Sequence, residues 1–301
     1  MKTLILTAAL LAAATSASAQ ITYVPAAPPP AVLPAVADAA ARAAIKPIKP
    51  KKIILVGDST TQVGSGWGGA FCANHVTSFI ACVNLARGGR GTFDYRAEGS
   101  WDLAMNEAKT PGYTATYVLI QFGHNDQPGK PGRSTDLYTE YPANLKRYVT
   151  EARAAGAIPV LVTPLTRRSF KNGSLQDDLQ PWAEAVRAVA KEMNVPLIDL
   201  HATSSAAVQA MGARAAIDLA ETAPPQSVLD AAATGTTIGA PKTEVLVKPA
   251  TTTTGGTVPA GHPTVVFDYT HLGPKGAEVF AEQITYGLAA AVPDLAHDLV
   301  P

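Results

Sequence analysis

Charge is scarce in these 301 residues and it cancels: 24 Lys and Arg stand against 24 Asp and Glu, charged residues are 16% of the chain, and no long basic run occurs. A surface of that kind has nothing to collect phosphate backbones, which argues against a nucleic-acid partner. Cysteine is scarcer still, with only Cys72 and Cys82. Two thiols cannot build a structural zinc site alone, and neither Cys-x-x-Cys nor His-Glu-x-x-His is present, so no metal and no other cofactor is expected. The one long apolar run, Leu4 to Ala14, is well short of the roughly 20 residues that span a bilayer. What the chain has in quantity is turn chemistry: 24 Gly and 24 Pro exclude a long coiled coil, while 47% hydrophobic residues give enough material for a buried core.

Met1-Lys2-Thr3, the apolar run and Ala17-Ser18-Ala19 before Gln20 make a charged start, a hydrophobic centre and a small-residue cleavage pattern. Residues 1–19 are therefore read as a signal peptide, and the expected product is periplasmic or secreted, monomeric, and without a membrane partner after cleavage. Residues 20–52 come next as a Pro/Ala-rich linker; seven prolines lie between Ile21 and Lys52, and an extended course is expected. In an oxidising compartment Cys72 and Cys82 could bridge, closing a short loop, or could be two small buried hydrophobes; the spacing does not choose.

From Ile53 the pattern changes. Short apolar runs at Ile53–Val56, Ala81–Asn84, Tyr117–Phe122, Ile158–Val162 and Val195–Asp199 read as buried parallel strands. Amphipathic stretches lie between them, at Tyr138 to Ala155 before Gly156 and at Trp182 to Met193, and Pro274 to Ala291 supplies a terminal helix. Five strands joined by helices predict an α/β domain over residues 53–301: a doubly wound, flavodoxin-like parallel five-stranded sheet with helices on both faces. Ala, Thr, Gly and Pro break the rhythm at about residues 221–265, which read as a long, mobile insertion.

The chemistry-bearing residues fall at strand exits. The first strand ends in Gly57-Asp58-Ser59-Thr60-Thr61, placing Ser59 at the carboxyl edge, where open α/β sheets bind ligands. The fifth position is Thr61 and not Gly, so this is not the Gly-x-Ser-x-Gly elbow; by itself Gly-Asp-Ser is a common turn or helix cap. The third strand ends in Gln121-Phe122-Gly123-His124-Asn125-Asp126, where the Asn125 amide can donate to an oxyanion. Asn84-Leu85-Ala86-Arg87-Gly88-Gly89-Arg90-Gly91 comes after the second strand with glycines that let a backbone N–H approach a ligand. Near the far end, Asp268-Tyr269-Thr270-His271 sets an acid behind an imidazole. Each signal alone has an ordinary structural reading; their placement on one sheet edge is what a single site requires.

In these four blocks the sequence resembles the SGNH hydrolases of the GDSL type, over about Ile53 to Ala290. It is most similar to the rhamnogalacturonan acetylesterases, through Gly57-Asp58-Ser59-Thr60, Gln121 to Gln127, Asn144 to Tyr148 and Val162 to Arg168. The resemblance implies a Ser59 nucleophile, His271 as base and then acid, and Asp268 orienting it. It implies oxyanion donors at the Ser59 N–H, the Gly89 N–H and the Asn125 side chain. The Arg90-Gly91 pair departs from the family's small-Gly-Arg-Ser block, and the 221–265 insertion is a second departure. For an acetylated polysaccharide substrate, Trp67 is expected to stack on a sugar, Arg90, Arg167 and Arg168 to meet uronic carboxylates, and His124 to steer its loop or line the pocket. A neutral acetylated xylan would lean on Trp67 or Trp101 instead. Two other readings are weighed. Gly64 to Gly69 fits Gly-x-Gly-x-x-Gly, but no acidic residue lies between Asp58 and Asp94 to hold a ribose, and the segment reads as a flexible loop. A polysaccharide-binding protein without turnover would keep the fold and lose the chemistry.

Overall fold

A computed structural model of the chain describes residues 42–239 and 266–301. The expected signal peptide, most of the expected linker and the 240–265 part of the expected insertion lie outside these residues. The chain divides at Pro47 into two compact units, and the sheet and its helices belong to the second, Ile48–Pro301.

The centre of this unit is the expected doubly wound sheet. Strands β1 (Lys51–Gly57), β2 (Ile80–Asn84), β3 (Thr116–Gln121), β4 (Ile158–Val162) and a fifth, Leu197–Ile198, pair in parallel with β1 and β3 in the interior. Alternate side chains of the buried strands feed two cores. Ile53, Leu55, Tyr117, Leu119, Val160 and Val162 face one side, and Ile54, Val56, Val118, Ile120 and Leu161 the other. Helices α1 (Gly68–Asn74), α6 (Leu200–Ala216) and α8 (Pro274–Ala291) bring Phe71, Val208, Phe280, Ile284 and Leu288 to the first core. The second is closed by Trp101 and Ala104 of α3 (Ser100–Ala108), Leu145, Tyr148 and Val149 of α4 (Glu140–Ala154), and Trp182 and Val186 of α5 (Gln180–Met193). A four-residue helix, α2 (Asp94–Ala97), precedes α3.

Two expectations change and one open choice is settled. The fold starts before residue 53: Lys51 and Lys52 are in β1, and the buried Lys52 amine donates to the Glu107 carbonyl and carboxylate, both at 2.7 Å. The segment after residue 221 does not begin as a loop, because Gln226–Ala233 forms helix α7, which buries Val228 and Ala232, one turn apart. It reaches a small hairpin, β5 (Phe170–Lys171) and β6 (Ser174–Leu175), numbered in chain order so that Leu197–Ile198 is β7. Asn172 and Gly173 turn that hairpin with φ of 51° and 79°, and Thr237 exchanges hydrogen bonds with Phe170 beside it. Cys72 and Cys82 form a disulfide with Cα atoms 5.4 Å apart, tying α1 to the edge strand β2.

Because the strands are parallel and Gly57 pairs with Gln121 and Gln121 with Val162, their carboxyl ends come out level. The loops after β1, β2, β3 and β4 therefore leave from one edge.

Candidate active site

The turn after β1 is built on Asp58. Its buried carboxylate accepts from the Thr60 N–H and hydroxyl, both at 2.8 Å, while its carbonyl accepts from the Thr61 and Gln62 N–H groups. Ser59 sits at the crest, 7% exposed, and its side chain meets the loop that enters α8. His271 Nε2 is 2.9 Å from Ser59 Oγ, and His271 Nδ1 is 2.5 Å from Asp268 Oδ2. The second Asp268 oxygen accepts from the Thr270 and His271 N–H groups, both at 2.7 Å, so the carboxylate is fixed on both sides. Burial works to raise the Asp268 carboxyl, but the hydrogen bonds from the ring and the backbone outweigh it and hold it at about 2. The bond to Asp268 raises His271 above the ordinary imidazole range.

Arg168 holds this loop from beneath. Its fully buried guanidinium donates to the carbonyls of His271 at 2.7 Å and Thr270 at 3.2 Å. Burial lowers it to about 10, so it stays charged at neutral pH. The loops are further tied by Leu272 N–H to Ser65 O and by the Ser65 hydroxyl to Ser59 O.

Gly89 and Asn125 complete the ring around Ser59, all lining a cavity of about 620 Å³. Gly89 has φ +78°, a conformation that favours glycine. Among the described residues neither its N–H nor that of Ser59 meets a protein acceptor. The Asn125 amide is held at both ends: Nδ2 donates to Arg90 O at 3.1 Å and Oδ1 accepts from Lys130 Nζ at 3.1 Å. One Nδ2 hydrogen is left over, which makes three donors for a developing oxyanion. No group of three His, Cys, Asp or Glu side chains gathered to hold a metal ion occurs among the described residues.

The chain belongs to the GDSL-like lipase/acylhydrolase family. It matches that family over residues 55–279. It is 38% identical to the rhamnogalacturonan acetylesterase RhgT of Bacillus subtilis over 172 residues, 54% of this chain and 71% of RhgT. It is 36% identical over 155 residues to "Probable rhamnogalacturonan acetylesterase YesY" of the same species, 49% of this chain and 69% of YesY. The crystal structure of the YXIM protein of Bacillus subtilis superposes with a TM-score of 0.57 at 20% identity, covering 81% of this chain and 58% of that one, a likeness of fold. As a member of this family the protein is a serine-type ester hydrolase.

The expected substrate residues are largely elsewhere. Trp67 is 0% exposed and its indole N–H donates to Gln121 Oε1 at 2.9 Å, so it cannot stack on a sugar; Trp101, 1% exposed, donates to Glu151. Arg90 spends its side chain on Glu98 and Gly88 O and gives the site only its carbonyl. Arg168 supports the His271 loop and is not open to a ligand. Arg167 does line the cavity, bonded to Thr270 Oγ1 and paired with Asp178. His124 also reaches the cavity, but it is buried 3.4 Å from Asp58 and desolvation lowers its pKa, favouring the neutral ring. The Gly-x-Gly-x-x-Gly segment is exposed at Gly64 but tightly packed from Ser65 to Gly68: a Cβ on Gly68 would come within 2.1 Å of Thr61 O and 2.4 Å of Asn84 Nδ2. Two cavity-lining cations went unread in the sequence, Lys130 and Arg133, in the loop after Asn125.

Proposed function

We propose that the protein is an exported carbohydrate O-acetylesterase that deacetylates rhamnogalacturonan through an acetyl-Ser59 intermediate. The observation that carries the mechanism is the unbroken chain from Asp268 through His271 to Ser59, with spacings of 2.5 and 2.9 Å, opening on the cavity beside three free donors. Ser59 Oγ attacks the acetyl carbonyl while His271 Nε2 takes its proton. The negative oxygen is received by the Ser59 and Gly89 N–H groups and Asn125 Nδ2. The tetrahedral adduct collapses, the C–O bond to the sugar breaks, and His271 returns the proton to the sugar oxygen. Water then attacks acetyl-Ser59 with His271 as base, acetate leaves and the serine proton is restored. Asp268 keeps Nδ1 protonated and stabilises the imidazolium formed in each half.

Export is supported by the Met1 to Ala19 leader pattern. The substrate reading is supported by RhgT and YesY, by the cations in the cavity, and by the burial of Trp67 and Trp101, which leaves a neutral xylan without the stacking surfaces it would need there. Acetate release from acetylated rhamnogalacturonan and from acetylxylan tests it. The expected result is higher kcat/KM on rhamnogalacturonan; a clear preference for xylan overturns the substrate and leaves the esterase chemistry standing.

A further inference from the structure

Among the described residues three Lys and Arg side chains line the catalytic cavity: Lys130, Arg133 and Arg167. Of these, Arg167 alone is engaged by a carboxylate among the described residues, that of Asp178. The Lys130 amine donates to two neutral oxygens, His124 O at 2.6 Å and Asn125 Oδ1 at 3.1 Å, which take two of its three hydrogens without balancing its charge. The Arg133 side chain has no hydrogen-bond or ion-pair partner among the described residues, and its Nη1 lies 3.3 Å from where a Cβ on Gly89 would stand. A fixed loop presents both. The Ser134 hydroxyl donates to Gln127 O at 2.8 Å and accepts from the Lys130 N–H at 2.9 Å, Arg133 N–H donates to Lys130 O at 3.0 Å, and Thr135 N–H closes onto Asp126 O at 2.9 Å.

The acids of the cavity stand elsewhere. Asp268 is bound to His271, and Glu221 donates its N–H to His271 O at 3.2 Å. Among the described residues, the two carboxylates that line the cavity thus belong to the His271 loop and its neighbour, where Arg167 also bonds to Thr270 Oγ1, while Lys130 and Arg133 stand at Asn125 and Gly89. An acetyl group and sugar hydroxyls are neutral and give an unpaired guanidinium nothing to neutralise. A planar carboxylate does, by the two-pronged geometry that guanidinium offers.

We propose that Arg133, with Lys130 beside it, is a carboxylate subsite on the oxyanion side of the cavity, and that the polysaccharide is bound through a uronic acid at or next to the acetylated sugar. This rests on the acetylesterase reading and deepens it. Burial lowers the Lys130 amine, with the Arg167 charge acting the same way, so an arriving anion relieves a cost already present in the free enzyme.

The test compares acetate release from one acetylated acidic polysaccharide with release from the same polymer after its carboxyls are reduced to alcohols. The wild type is expected to show about tenfold higher kcat/KM on the acidic form, carried by KM, and the gap should narrow as salt is raised. Arg133→Gln should bring the ratio near one, while Arg133→Lys keeps part of it. Because a ratio is read, a partly unfolded variant lowers both rates and leaves the comparison intact, and the wild-type ratio needs no variant. Equal wild-type kcat/KM on the two polymers overturns the subsite, as does an Arg133→Gln enzyme that retains the full ratio. Failure to release acetate from either polymer and from an aryl acetate is a different result, and removes the esterase reading beneath the proposal.

Discussion

The Asn125 amide shows how much of the site is decided by single hydrogen bonds. Arg90 O and Lys130 Nζ fix which end of the amide is the donor, so its remaining hydrogen is aimed before substrate arrives. Asn125→Ala should lower kcat by roughly 10² to 10³ with little change in KM, since that bond strengthens only as charge develops; steady-state kinetics on an aryl acetate checks it, and a raised KM with unchanged kcat would make Asn125 a ground-state contact. Asp268 sets a second expectation. His271 must be neutral to act as base and its pKa is raised by Asp268, so kcat/KM should fall as pH drops through a value above the ordinary imidazole range. Asp268→Asn should move that acid limb to lower pH and cut kcat by about 10⁴. Ser59 and Asn125 were legible in the sequence because each sits in a short block at the exit of a strand, β1 and β3, and Asp268 and His271 because they stand three apart just before the helix that Pro274 begins. Trp67, Trp101 and Arg168 were misread because whether a large side chain faces a ligand or the interior is decided by tertiary packing. Lys130 and Arg133 escaped because their approach to Asn125 and Gly89 depends on how one loop closes on itself.

At the scale of elements, the five strands and the helices α4, α5 and α8 emerge from apolar patterning, most plainly in β1, β3 and β4, whose burial on both faces leaves a continuous apolar run. Helix α7 did not, because its short Ala-rich sequence has little beyond Val228, Leu229 and Ala232 to mark a face, and the Asn172-Gly173 turn joins strands of two residues each, too short to leave a pattern. The loop carrying Ser59 owes its position to α1. Gly68→Ala would drive a methyl into Thr61 O and Asn84 Nδ2 and should lower both stability and kcat by shifting the nucleophile turn, measured by thermal melting and aryl acetate turnover. The Cys72–Cys82 bridge also holds α1, at residues that do not line the cavity. With a sequence separation of 10 it should contribute about 2 to 3 kcal/mol in the loop-entropy account, so replacing both cysteines by serine should lower Tm and leave kcat near its wild-type value.

For the molecule as a whole, pH acts on stability through groups outside the triad as well. Burial raises Asp126 to about 7, against hydrogen bonds from Thr92 and Thr135 that favour the carboxylate. Its folded pKa lies above its unfolded one, so between about 4 and 7 the unfolded chain releases a proton that the native state keeps, and stability falls as pH rises through that window. Tm should therefore drop less between pH 5 and pH 8 in Asp126→Asn than in the wild type. Asp268 has the opposite sign: held at about 2, it favours the native state above the unfolded pKa, and that contribution is lost as pH falls toward 2. The level strand ends join these scales, for they bring residues 59, 89 and 125 from three loops to one cavity, where the loop entering α8 adds residue 271. Ser59 as the nucleophile of that cavity is tested most directly by the acetate release of Ser59→Ala beside the wild type, with folding checked by thermal melting. A fall in kcat of about 10⁴ to 10⁶ with an unchanged melt is the predicted result; near-normal turnover by the folded variant would contradict the account.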